Sequence, residues 1–234
     1  MKIYENLAKT YNWRHDSPST KHLRVFEKKM LRKYAHGKIL DVGCGTGYHL
    51  DFLIKNGLDV VGIDNSEEMI KRSKHKIINA PAEKIPFPSE IFDTILCMFS
   101  TMNLLEERAL REMNRVLKSN GKLIISVASI WDKKYPTFYE KKNTKIEPHM
   151  KFKKVSIDKN NLSFRLFTKQ DLVEFFKENR FSLVDFKGIF IHQRPFWGRF
   201  EDFSISEKAK LILDNLQLSN DLGAMYLAVF EKVV

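Results

Sequence analysis

Asp41, Gly43, Gly45, Gly47 and Asp64 are the residues whose types and spacing allow chemistry. The glycines lie in ILDVGCGTGYHL, residues 39–50, between an apolar run and an amphipathic stretch. Glycines at a strand-to-helix turn let the backbone approach a nucleotide closely. A dinucleotide fingerprint spaces them G-x-G-x-x-G. Here the third glycine comes one residue early, and Tyr48 stands where that fingerprint ends. Asp41, at the carboxyl end of the first apolar run, would face the ligand of an open α/β sheet. A carboxylate there repels a pyrophosphate and attracts a cation. Asp64, 17 residues after Gly47, ends the second apolar run. An acid at that place accepts hydrogen bonds from ribose hydroxyls.

A nucleoside that carries positive charge and no phosphate describes S-adenosylmethionine. The sequence resembles the class I S-adenosylmethionine-dependent methyltransferases, including the ubiquinone-biosynthesis type. ILDVGCGTG is similar to the family's first motif and VVGIDNSEEMI to its second. FDTILCMFSTMNLL, followed by ALREMNRVLKSNGKLIISV, resembles its strand-four to strand-five block. The resemblance covers residues 35–130 strongly and the C-terminal part more weakly. It implies that Asp41, Gly43, Gly45 and Gly47 line the methionine end of the cofactor. Asp64 would hold the ribose, with Asn65 and Met69 against ribose and adenine. Ala82 and Glu83 belong to a segment similar to the family's D-A-x-x-L-P-F, in which Pro81 replaces the usual acid. That leaves Asn79 or Glu83 for the adenine amino group. Phe99 and Ser100 would sit beneath the cofactor.

Methyl transfer from a sulfonium is an in-line displacement, so the protein mainly aligns the acceptor and excludes water. A base is needed only where the acceptor must lose a proton. Candidate catalytic groups are Tyr11, His15 and His192. Tyr11 lies in YENLAKTY, similar to an N-terminal tyrosine motif of the ubiquinone-biosynthesis type. Candidate acceptor contacts are Tyr11, Trp13, Asn103, Trp131 and Arg194, with Met102 beside Asn103. Strand four ends in CMFSTMNLL, with no Asn/Asp-Pro-Pro-Tyr motif for amine methylation of bases. Cys97 is mid-strand, which argues against cytosine C5 chemistry. No metal site is expected. The acceptor read from these residues is a small molecule; the alternative is a tRNA, for example at a modified wobble uridine. A third reading is a non-catalytic scaffold, which the intact Asp41 and Asp64 oppose.

The elements that must position these groups follow from hydrophobic periodicity. Residues 21–37 have the spacing of a helix, with Leu23, Phe26, Met30 and Leu31 apolar. Strands are expected at 38–43, 58–64, 76–80, 91–99 and 122–129, alternating with helices at 48–57, 67–75 and 106–118. That alternation means a parallel sheet covered on both faces. Ser66 and Thr168 are expected helix caps, the latter with Asp171 at the third position. A helix at 169–180, a strand at 181–192, a helix at 205–218 and a strand at 224–232 complete the chain. The fold implied is Rossmann-like and doubly wound, with seven strands in the order 3-2-1-4-5-7-6 and strand 7 antiparallel. We expect one methyltransferase domain over 1–234. It comprises an N-terminal helical cap (1–37), a cofactor-binding core (38–129), an inserted cap (130–165) with a short hairpin, and a C-terminal part of the sheet (166–234).

The formal net charge is +11, and its placement is uneven. Residues 1–38 carry net +7 and residues 130–159 net +5, leaving the remainder at −1. Such segments steer anionic partners or form a solvated lysine-rich face. There is no apolar run near the ~18 residues of a membrane span, and no secretory signal is recognised at the start. Two cysteines are too few for a disulfide framework. Both are expected as free thiols in a cytoplasmic protein.

Overall fold

A computed structural model describes residues 8, 11, 18–130, 144–147, 150–157, 160–189, 221 and 223–233. The expected helix at 205–218 lies outside them, as do Trp13, His15, Trp131, His192 and Arg194.

Helix α1 (Pro18–Tyr34) begins with proline in its first turn, where the missing N–H costs nothing. Strand β1 (Lys38–Val42) follows, then α2 (Tyr48–Lys55), β2 (Asp59–Asp64), α3 (Glu67–Ile70) and β3 (Ile77–Asn79). Next come β4 (Phe92–Cys97), a 3-10 turn (Thr101–Asn103), α4 (Glu107–Val116) and β5 (Leu117–Ala128). Strands β6 (Thr144–Glu147), β7 (Met150–Ile157) and β8 (Asn160–Leu166) form a separate antiparallel sheet, where the sequence suggested only a hairpin. Helix α5 (Lys169–Glu178), β9 (Phe181–Ile189) and β10 (Met225–Lys232) complete the described elements.

The main sheet runs β3-β2-β1-β4-β5-β10-β9, with β10 antiparallel to both neighbours. With β9 and β10 counted as strands six and seven, this is the expected order. Alternate residues of each central strand feed two cores. Ile39, Leu96, Ile124 and Leu227 pack under Leu23, Phe26 and Leu31 of α1. Leu40, Ile95, Ile125 and Phe230 pack under Met113 of α4 and Phe176 of α5. The Phe176 and Phe230 rings stack 4.1 Å apart. Burial on both faces explains why the strands read as unbroken apolar runs. Outside the core, Tyr34 of α1 donates to Asp185 of β9 at 2.6 Å, fixing the end of the helix on the sheet.

Several boundaries differ from the sequence reading: α1 spans Pro18–Tyr34 where the spacing predicts 21–37, and three others have identifiable causes. The helix capped by Ser66 stops at Ile70 instead of His75, because Ser73 turns its hydroxyl to the His75 N–H, a local bond that competes with the helix. Ser119, Asn120 and Gly121, which fall between the expected helix (106–118) and strand (122–129), are absorbed into β5 as an irregularity: Asn120 is left-handed (φ 61), and the register with β4 steps from Phe92↔Leu117 to Thr94↔Lys122. Strand β4 ends at Cys97 because Phe99 (φ 56) and Ser100 (φ 64) both turn left-handed. Among the described residues no helix is long and apolar enough to cross a membrane.

Candidate functional site

The carboxyl ends of β1, β2 and β4 open onto a solvent-connected cavity, the place where an open α/β sheet binds its ligand. The glycine turn forms its floor. Gly43 and Gly45 both have positive φ (68 and 57), which L side chains rarely adopt. A Cβ on Gly43 would collide with the Thr101 side chain, and one on Gly45 would touch the Tyr11 ring at 3.7 Å. The turn is tied to β2 by the Gly43 and Cys44 N–H groups, both donating to the Ile63 carbonyl.

Asp64 organises the corner of the cavity at the end of β2. Its Oδ2 accepts the Gly45 N–H at 2.8 Å and its Oδ1 the Ser66 N–H at 2.9 Å. A carboxylate offers about four lone-pair sites, so each oxygen keeps capacity toward the cavity that Asp64 lines. Burial raises its pKa, while those backbone N–H groups oppose the rise. Ser66 caps α3 by accepting the Met69 N–H, which sets Met69 in the cavity wall.

Asp41 is different. It is 0 % exposed, and neither oxygen has a hydrogen-bond partner among the described residues. Burial pushes its carboxyl up to about 6; His49 pulls it down, and Asp64 and Glu27 add to the rise. A buried carboxylate left without donors is costly. Its field extends toward the turn above it, where a cationic ligand gives it compensation. The site therefore has an anionic floor, and Asp64 keeps acceptor capacity toward the cavity that it lines.

Of the residues expected around the cofactor, Gly43, Gly45, Asp64, Asn65, Met69, Ala82 and Phe99 line the cavity. Asp41 lies behind the turn. Gly47 caps α2 and packs against Ser73 and His75 instead. Glu83 is not among the lining residues. Of the acceptor and catalytic candidates, Tyr11 lines the cavity beside Gly45. Burial, with Asp64, Glu27 and Asp41 nearby, raises its phenol far above the ordinary value although Arg24 opposes the rise, so it stays neutral. A neutral phenol donates a hydrogen bond and does not act as a ready base.

Asn103 corrects the sequence reading. It is buried, and its amide is spent on the backbone: Nδ2 donates to the Ala128 and Arg165 carbonyls, and Oδ1 accepts the Ala128 N–H. Its neighbour Met102 is buried too. Thr101, Leu104 and Leu105 face the cavity in their place. Residues 101–103 form a 3-10 turn, in which positions i and i+3 eclipse. Thr101 and Leu104 therefore share one side. Both cysteines are free and buried, and burial raises each thiol, so neither is a ready nucleophile.

Comparison with known proteins places this geometry in context. A family model described as a methyltransferase domain matches residues 40–125. An uncharacterized protein of Methanocaldococcus jannaschii is 38% identical over 141 residues, which cover 57% of this chain and 53% of that protein. A ubiquinone/menaquinone biosynthesis C-methyltransferase of Geotalea daltonii is 35% identical over 117 residues, 44% of this chain and 50% of that one. The chain thus spans about half the length of these curated relatives. Among solved structures, a Thermotoga maritima protein described as a SAM-dependent methyltransferase, possible histamine N-methyltransferase, superposes with a TM-score of 0.63. It shares 20% identity and covers 99% of this chain and 100% of its own.

Proposed function

We propose that the protein, whose residues 40–125 match a methyltransferase-domain model, is a class I S-adenosylmethionine-dependent enzyme that transfers a methyl group to a small-molecule acceptor. S-adenosylmethionine supplies, when bound, a methyl group activated on a sulfonium. The residues supply the rest. Asp64 accepts from the ribose hydroxyls, and Met69 and Ala82 offer apolar surface to the adenine. Asp41 and its neighbours hold negative potential under the glycine turn. Tyr11 covers Gly45 and helps to exclude water.

The observation that carries the acceptor reading is the wall beyond Phe99. Leu104, Leu105 and Thr101 make it apolar, and among the described lining residues the one charged side chain is Asp64. A phosphate backbone is held by lysine and arginine; this wall suits a compact, largely apolar acceptor. The basic segments behind the tRNA alternative fall partly outside the described residues.

Two measurements test the reading. Calorimetry should detect S-adenosylhomocysteine binding to the wild type, and Asp64→Ala should weaken it by about tenfold or more. A binding constant unchanged in the variant refutes the ribose assignment. Labelled cofactor incubated with separated metabolite, RNA and protein pools should mark the metabolite pool; label confined to RNA refutes the small-molecule acceptor.

A further inference from the structure

Glu27 of α1 is fully buried, and both of its oxygens are occupied. Oε2 accepts from His49 Nε2 at 3.1 Å, and Oε1 from the Ser126 hydroxyl at 2.8 Å. His49 is the second residue of α2, directly beyond the glycine turn. Ser126, on β5, accepts the Phe99 N–H through its own Oγ, while its backbone carbonyl accepts the Ser100 N–H at 2.8 Å. Phe99 and Ser100 are the two non-glycine residues held left-handed at the end of β4. Such a conformation costs of order 1–3 kcal/mol per residue and persists only where neighbours over-determine it. One carboxylate thus joins four parts of the structure: the helix α1 that packs on the sheet, the turn that forms the cavity floor, the carboxyl end of β5, and the strained backbone that presents Phe99 and Thr101.

The chemistry of each link is directional. A serine hydroxyl has one proton. Having accepted from Phe99, Ser126 donates to Glu27, which must therefore be an acceptor. Around His49 stand Glu27 and Arg24 of α1 and Asp41 of β1. Burial opposes a charge on the imidazole, but Glu27 and Asp41 outweigh it and hold the His49 pKa above its usual value.

We propose that Glu27 is a positioning residue for the cofactor site. Through His49 it orients the glycine turn, and through Ser126 it holds the Phe99–Thr101 backbone in its cavity-facing form. It touches neither cofactor nor acceptor. This rests on the reading of the cavity as the cofactor site.

Glu27→Leu fills the space and removes both acceptors. Glu27→Gln keeps a carbonyl for Ser126 and offers an N–H to a neutral His49. Ser126→Ala removes only the arm to Phe99. Binding of S-adenosylhomocysteine is measured by calorimetry on each folded variant, with melting temperature recorded separately. Glu27→Leu should weaken binding about tenfold, about 1.4 kcal/mol, Glu27→Gln should restore most of it, and Ser126→Ala should fall between. A purely structural Glu27 lowers the melting temperature of Glu27→Leu yet leaves the affinity of its folded form unchanged, and that result overturns the proposal. If Glu27→Leu does not fold, Ser126→Ala decides: affinity equal to wild type overturns it. Absence of binding by the wild type itself overturns the cofactor reading instead.

Discussion

Replacing Asp41 by asparagine should stabilise the cofactor-free protein at neutral pH and weaken cofactor binding. Burial raises the Asp41 carboxyl from 3.8 to about 6. The folded state therefore binds more protons than the unfolded chain between those values, and stability falls as pH rises through the window. At about 1.36 kcal/mol per unit, the cost is about 1.6 kcal/mol at pH 5 and about 3 kcal/mol at pH 7.5. Asparagine does not titrate, so whatever its amide costs in the same buried place is independent of pH. The stability difference, variant minus wild type, should then grow by about 1.4 kcal/mol between pH 5 and pH 7.5. Urea unfolding of both proteins at the two pH values, without ligand, measures it. A pH-independent difference would show that Asp41 is not the uncompensated charge described above. Calorimetry supplies the second half, since loss of the anion should weaken S-adenosylhomocysteine binding, whose α-ammonium remains. Binding unchanged in the variant refutes the link between that charge and the ligand.

Three further outcomes follow from the geometry. Tyr11→Phe should keep S-adenosylhomocysteine affinity within about threefold, because the ring still covers Gly45, whereas Tyr11→Ala should lose about tenfold; equal losses would mean that the hydroxyl matters more than the cover. Gly45→Ala should cost about 1–2 kcal/mol from its left-handed backbone alone, and Gly43→Ala clearly more, because its Cβ also meets Thr101; thermal unfolding ranks them. Thr168→Ala should cost about 1 kcal/mol by removing the cap of α5, with no change in ligand affinity, since its capping box with Asp171 lies outside the cavity wall.

Much of the site was legible because its chemistry sits on regular elements. The glycine spacing, Asp41 and Asp64 end strands whose apolar runs are plain in the sequence, and Ser66 and Thr168 cap where side-chain oxygens precede helices. The Phe99–Leu105 segment was not legible. No periodicity announces two consecutive left-handed residues, and the 3-10 turn that follows points Thr101 into the cavity and Asn103 into the backbone. Glu27 was missed for another reason, although a signal existed. It lies four residues from both Leu23 and Leu31, on the apolar row of α1. A charged residue on that row marks a buried, partnered group, but a reading of apolar positions alone passes over it.

The placement of β10 has a consequence for assembly. It is the last described strand in the chain, yet it sits inside the sheet, and among the described strands it is the one that pairs with β9. Strand β5 must wait from Ala128 to Met225 before its second edge is paired. Loop closure over such a separation is slow relative to local pairing. A chain folding from its N-terminal part would thus hold β1 to β5 with the edge of β5 unpaired, and β10 would have to enter between β5 and β9. Such an edge is a template for other chains until it closes, so expression of the intact protein should depend on how quickly β10 arrives.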